Sequence, residues 1–188
     1  MQLSTSVIAT VENAILEVVN TTLPGVLRAT GSLPGTWSVD LLKLLLQQAP
    51  AVFVAFNGGE LDHASNAALL DARFDVYAVV KEPTEIVRRQ GTPTSIGAYE
   101  IIEVITPALN GFTVPGCGSL RGKSVTNLFS NVLQEFGGTV YAVQFTLPRL
   151  PLAAAFDAST LANFAILNIE SSLTTPGAND FQTTINLP

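Results

Sequence analysis

The sequence predicts an α+β domain, a mixed and largely antiparallel sheet of about four to five strands with helices packed on it, followed by an extended C-terminal arm. Three observations carry that expectation. Two stretches repeat apolar residues at helical spacing, two others alternate at the period of a strand, and past Pro148 and Pro151 the composition turns to Ser, Thr, Ala and Asn. The domain organisation that follows is one folded unit over residues 1–147 and an arm over 148–188.

The first helical stripe is Val7, Ile8, Val11, Ala14, Ile15, Val18 and Val19, with Ser4, Thr5 or Ser6 as cap and Asn20 near its stop. Pro24-Gly25 breaks the chain, Val26 to Ala29 reads as a short strand, and Gly31 to Gly35 reads as a turn or loop. Ser38 caps a helix over Val39 to Gln48. Its leucines at 41, 42, 44, 45 and 46 surround nearly the whole cylinder, the pattern of a helix that is deeply buried or docks on a neighbouring subunit. Pro50 ends it, and Ala51 to Phe56 is a continuous apolar run suited to the middle of a sheet. Asn57-Gly58-Gly59 reads as a turn and Glu60 to Asn66 as a loop. The alternation then begins: Ala72, Phe74, Val76, Ala78 and Val80 fall on one side and Arg73, Asp75, Tyr77 and Val79 on the other, a strand with one buried face.

Glu82-Pro83-Thr84 starts a short helix through Arg89, stopped by Gly91. The best-defined element follows over Gly97 to Gly111. Ala98, Ile101, Ile102, Ile105, Ala108 and Leu109 make one stripe, Thr94 and Ser95 are placed to cap it, Glu100 and Glu103 lie toward the positive end of its dipole, and Asn110-Gly111 supplies a left-handed stop. Pro107 is discordant and predicts a kink or a loosened last turn. Phe112 to Val125, with Pro115 and several glycines, reads as a long loop. Thr139 to Leu147 alternates again, Tyr141, Val143 and Phe145 against Val140, Ala142 and Gln144. In the arm, Phe164 to Ile169 reads as one further strand, suited to lying along a neighbouring subunit where strand addition satisfies its backbone.

Composition narrows the function. With 47% apolar and 13% charged residues the chain supports a substantial core, and its net charge of −6 argues against a sequence-independent grip on phosphate backbones. A lone Cys117 excludes an intrachain disulfide framework and any multi-cysteine metal site. No run is apolar for long enough to suggest a membrane span, and the N-terminus lacks a secretory pattern, so a soluble protein made in the cytoplasm is expected. The single histidine, His63, sits beside Asp62 and two residues before Ser65. A hydrolase using His63 is the enzymatic alternative, but neighbours on one loop are badly placed for a triad whose members converge from separate parts of a fold. No phosphate loop, dinucleotide fingerprint or metal-ligand spacing is present, so no cofactor is expected.

Four stretches carry a resemblance. Gly97-Ala-Tyr-Glu100 opening a helix that closes on Leu109-Asn-Gly111, together with Pro50 to Glu60, Arg73 to Val80 and Val140 to Phe145, resembles a small family of late proteins from Mu-like tailed bacteriophages, in order from about residue 5 to residue 147. The resemblance implies a tail-terminator-like fold and a virion protein of the head-tail junction, either a tail terminator or a head-completion (neck) protein, commonly a dodecamer. A terminator is a ring, commonly a hexamer, that caps the tail tube and meets the head-side connector, with the tail sheath as a further neighbour and DNA passing through the lumen unbound. For the ring contacts the candidates are Leu41, Leu44 and Leu45 of the leucine-rich helix, the edge of the Val140 strand, Arg88 and Arg89 as cations for an acidic patch, Tyr99 as an anchor, and Phe164 in the arm.

Overall fold

A computed structural model describes residues 6–34, 38–62, 68–128 and 131–152. Helix α1 (Val7–Thr22) buries Val11, Ile15 and Val19, the i, i+4, i+8 line of the expected stripe. It outlasts Asn20, because the hydroxyls of Thr21 and Thr22 donate back to the Val18 carbonyl and keep the last turn closed. Pro24-Gly25 forms a turn with Gly25 at φ 69°, so strand β1 starts later than expected, at Ala29–Ser32, and takes in Gly31. Helix α2 (Val39–Gln47) is capped as expected: Ser38 Oγ accepts from the Leu41 N–H at 3.1 Å.

Strands β2 (Ala51–Leu61) and β3 (Leu69–Lys81) pair antiparallel. The expected turn at Asn57-Gly58-Gly59 is instead a bulge within β2. The register shifts between Phe56 and Gly59, Gly58 takes φ 75°, and a Cβ on Gly59 would run into the Asp71 carbonyl of β3. Helices α3 (Glu85–Gln90) and α4 (Ala98–Leu109) follow. Thr94 and Ser95 do not cap α4. They belong to a tight turn closed by Thr92 and Ser95, and the N-cap is Gly97, whose N–H donates to Glu100 Oε2 at 2.9 Å. A side chain at Gly97 would collide with the backbone of Arg89 to Gly91, which explains a glycine where Ser or Asp normally stands. Helix α4 continues through Pro107, and Gly111 at φ 86° supplies the left-handed stop.

The stretch read as one long loop, 112–125, holds three strands: a small hairpin of β4 (Thr113–Val114) and β5 (Gly118–Ser119), then β6 (Arg121–Asn127). Helix α5 (Asn131–Glu135) leads to β7 (Gly138–Pro151). Strand β7 runs beyond Leu147, through Pro148. The missing N–H of that proline falls where the β3–β7 register shifts between Leu70 and Ala72, so no ladder bond is lost there.

The main sheet has the order β1-β2-β3-β7-β6, with β1–β2 parallel and the other pairs antiparallel, and it realises the α+β class and the mixed sheet expected from the sequence. One face carries the larger core, where Phe74, Val76, Val143 and Phe145 meet Val11, Ile15, Ile101 and Ile105 of α1 and α4. Each such side chain is worth about 1.5–3 kcal/mol of transfer free energy. The other face packs Phe53, Tyr77, Val79 and Val140 under Leu45 and Leu46 of α2 and Leu133 of α5. Strand β3 is therefore buried on both faces from Phe74 to Val80, where alternation had implied one.

Candidate functional site

The second face is covered only in part. Between α2 and α5 on one side and β6 on the other lies a groove of about 420 Å³, floored by Tyr77, Val140 and Ala142 and walled by Leu42, Leu128 and Leu133. Ser124 and Thr126 of β6 form its open rim, and Asp75 and Gln144 its polar end. Asp75 is buried and fully engaged, accepting from Asn57 Nδ2 at 2.9 Å, Gln144 Nε2 at 3.3 Å and the Tyr77 hydroxyl at 3.3 Å. A carboxylate with three donors holds those neighbours in place.

Strand β6 is an edge. Among the described residues it pairs with β7 alone, from Arg121↔Thr146 to Asn127↔Tyr141, and every one of its residues is exposed. Its other row of N–H and C=O groups has no strand partner among the described residues. Residues 121–127 gave no strand signal because, with neither face covered, apolar and polar residues have no reason to alternate. The β-branched pair Val125-Thr126 was the one hint available.

The candidate contact residues separate. Leu44 is 51% exposed, and Leu41 is half-buried beside the second core. Leu45 is 2% exposed and packs into that core, so it is withdrawn from the surface candidates: α2 lies across the sheet and one side of its leucine ring must face inward. The edge of the Val140 strand is withdrawn too, since β6 covers β7 on that side. Arg88 is buried and spent internally, its Nη1 donating to the carbonyls of Glu82 at 2.7 Å and Pro83 at 3.2 Å and its Nε to Thr139 Oγ1 at 3.2 Å. It is a structural clamp, not a cation offered to a partner.

The half-buried Arg89 and Tyr99 form one cluster with the buried Tyr141. Arg89 Nη1 donates to the Tyr99 hydroxyl at 3.3 Å, its Nε faces Glu85 at 3.4 Å, and its guanidinium lies 6.0 Å from the Tyr99 ring centre. Tyr141 donates to the Tyr99 oxygen at 3.5 Å, the two rings meeting edge to face. Two donors on one phenol oxygen favour its ionised form, so the Tyr99 pKa is lowered, whereas burial and the bond to Tyr99 push Tyr141 up to about 12.

Phe164 and His63 lie outside the described residues. Asp62, the proposed companion of His63, holds Arg149 Nη1 at 3.0 Å. Cys117 is buried and its thiol pKa is raised by burial, the opposite of an activated nucleophile. Among the described residues no cluster of three or more His, Cys, Asp or Glu side chains is placed to hold a metal, and no helix is long and apolar enough to cross a membrane.

Fold and surface define an α+β domain built on a five-stranded mixed sheet. The profile of the family described as Bacteriophage Mu, Gp37 matches residues 7–149. The Mu-like prophage FluMu protein gp37 of Haemophilus influenzae is 30% identical over 161 residues, covering 86% of this chain and 79% of that protein. A chain from the virion of the native gene transfer agent particle is similar at 11% identity and a TM-score of 0.42, over 79% of this chain and 94% of that one. The chain belongs to the bacteriophage Mu Gp37 family, in agreement with the Mu-like phage resemblance of the four motifs. Those motifs make β2, β3, α4 and β7, the centre of the fold.

Proposed function

We propose that this chain is a non-enzymatic structural protein of a Mu-like phage virion, acting as a tail terminator. Copies assemble head to tail into a hexameric ring that caps the tail tube, meets the head-side connector, borders the sheath and lets DNA pass unbound. One observation supports this most directly. Among the described residues the five-stranded sheet ends in two unpaired edges of different sequence, β1 and β6, and head-to-tail closure requires two different patches on each subunit. The net charge of −6 supports a lumen that repels DNA.

The test is to purify the chain, measure its mass in solution, and add it to tubes grown from the tail tube protein of the same phage. The expected result is a hexamer seen by electron microscopy at one end of each tube. A monomer that leaves tube ends bare overturns the reading. A dodecamer that binds heads and ignores tubes replaces it with a head-completion protein.

A further inference from the structure

Three features meet at the open end of the second sheet face. The apolar groove is the first and the unpaired edge of β6 the second. The third is charge. Arg73 of β3 and Arg121 of β6 both stand opposite Thr146 of β7, on the face that carries Asp75 and Gln144, and Lys123 lies in the bulge between Gly122 and Ser124. All three cations are exposed, and none has an ion-pair partner among the described residues. In a chain with 9 Lys and Arg against 15 Asp and Glu, such a concentration of positive charge at one sheet end stands out from the acidic remainder.

We propose that this surface receives the C-terminal segment of a second copy, residues 153–188, laid along the free edge of β6. The proposal rests on the ring reading above and identifies one of its contacts. Charge complementarity supports it: the segment contains Asp157, Glu170 and Asp180 and no Lys, Arg or His. So does the order of its chemistry, since the apolar run Phe164-Ala-Ile-Leu-Asn-Ile169 directly precedes Glu170, as the apolar groove adjoins the cationic end. Length is sufficient, because the stretch from Leu152 to Glu170 extends up to about 60 Å. A strand added to β6 sends alternate side chains over Ser124 and Thr126 into the groove, while its backbone satisfies the open N–H and C=O groups of the edge.

The experiment uses the full chain with charge reversed on either side: Arg121→Glu with Lys123→Glu, and separately Asp157→Lys with Glu170→Lys. Each variant alone sets like charges against each other, and its self-association in sedimentation is expected to be about tenfold weaker than wild type or more. An equimolar mixture pairs every reversed groove with a reversed segment and every native groove with a native one. It is expected to assemble at wild-type strength, with the two variants alternating. Rescue on mixing cannot come from a misfolded chain, and it separates docking between copies from folding back within one.

If either variant alone associates as wild type does, or if the mixture is no better than its components, the docking is overturned while the ring stands. A wild-type chain that is monomeric at every concentration overturns the ring and this contact together.

Discussion

Tyr99 and Tyr141 share one hydrogen bond and are driven in opposite directions by it. In an alkaline titration followed by tyrosinate absorbance, Tyr99 is expected to ionise before the usual value of about 10 and Tyr141 near 12, and Tyr99→Phe to remove the early step. The sign of the linkage follows for each. Tyr141 holds its proton more tightly folded than unfolded, so its contribution is complete below about pH 10 and is lost between there and about 12. Tyr99 acts oppositely and adds stability as pH rises through its lowered value toward about 10. Arg88 gives a second prediction. Arg88→Ala strips donors from two carbonyls and Thr139 and is expected to cost about 2–4 kcal/mol in urea unfolding. In sequence Arg88 and Arg89 are indistinguishable; the one that turns inward meets the carbonyls of Glu82 and Pro83 and, across the fold, Thr139 of β7, 51 residues away, which no local pattern announces.

Elements were legible where one covered face imposed a period. Helix α1 and helix α4 follow their stripes because each lies with one side against the same core, the core to which β7 turns Tyr141, Val143 and Phe145. Boundaries were less legible. The end of β7 illustrates this, since Pro148 and Pro151 read as a boundary after a strand ending at Leu147, yet the strand passes through a register shift and goes on to bury Leu150 completely. Two truncations test the point. A chain stopped after Leu147 loses Leu150 and the pairing of β3 residues Leu69 and Leu70, and is expected to be less stable by about 3–5 kcal/mol in thermal unfolding. A chain stopped after Leu152 is expected to melt as the full chain does and to lose self-association in a mass measurement. Strand β6 was missed altogether, because a strand exposed on both faces has no reason to alternate.

Across the whole molecule, only 13% of residues are charged, and the proposed assembly gives that composition a physical reason. In the proposed ring, the two edges left unpaired among the described residues and the half-covered face meet other copies, and low charge density keeps the desolvation cost of covering them small. The exposed Leu44 and Phe136 and the cation-lined end of the groove lie outside the two cores. The acidic balance was readable from composition alone. The gathering of Arg73 with Arg121 was not, because it depends on β3 and β6 both facing Thr146 across β7.

By itself the sequence determined the class of fold, the two principal helices, the central strands and the phage family, since periodicity and short motifs are local properties. Tertiary structure alone decided which leucine of α2 and which of two adjacent arginines belong to the interior, and which strand is left at the edge. Those outcomes depend on pairing between residues far apart in the chain, and a one-dimensional pattern does not specify which distant partner a residue will meet.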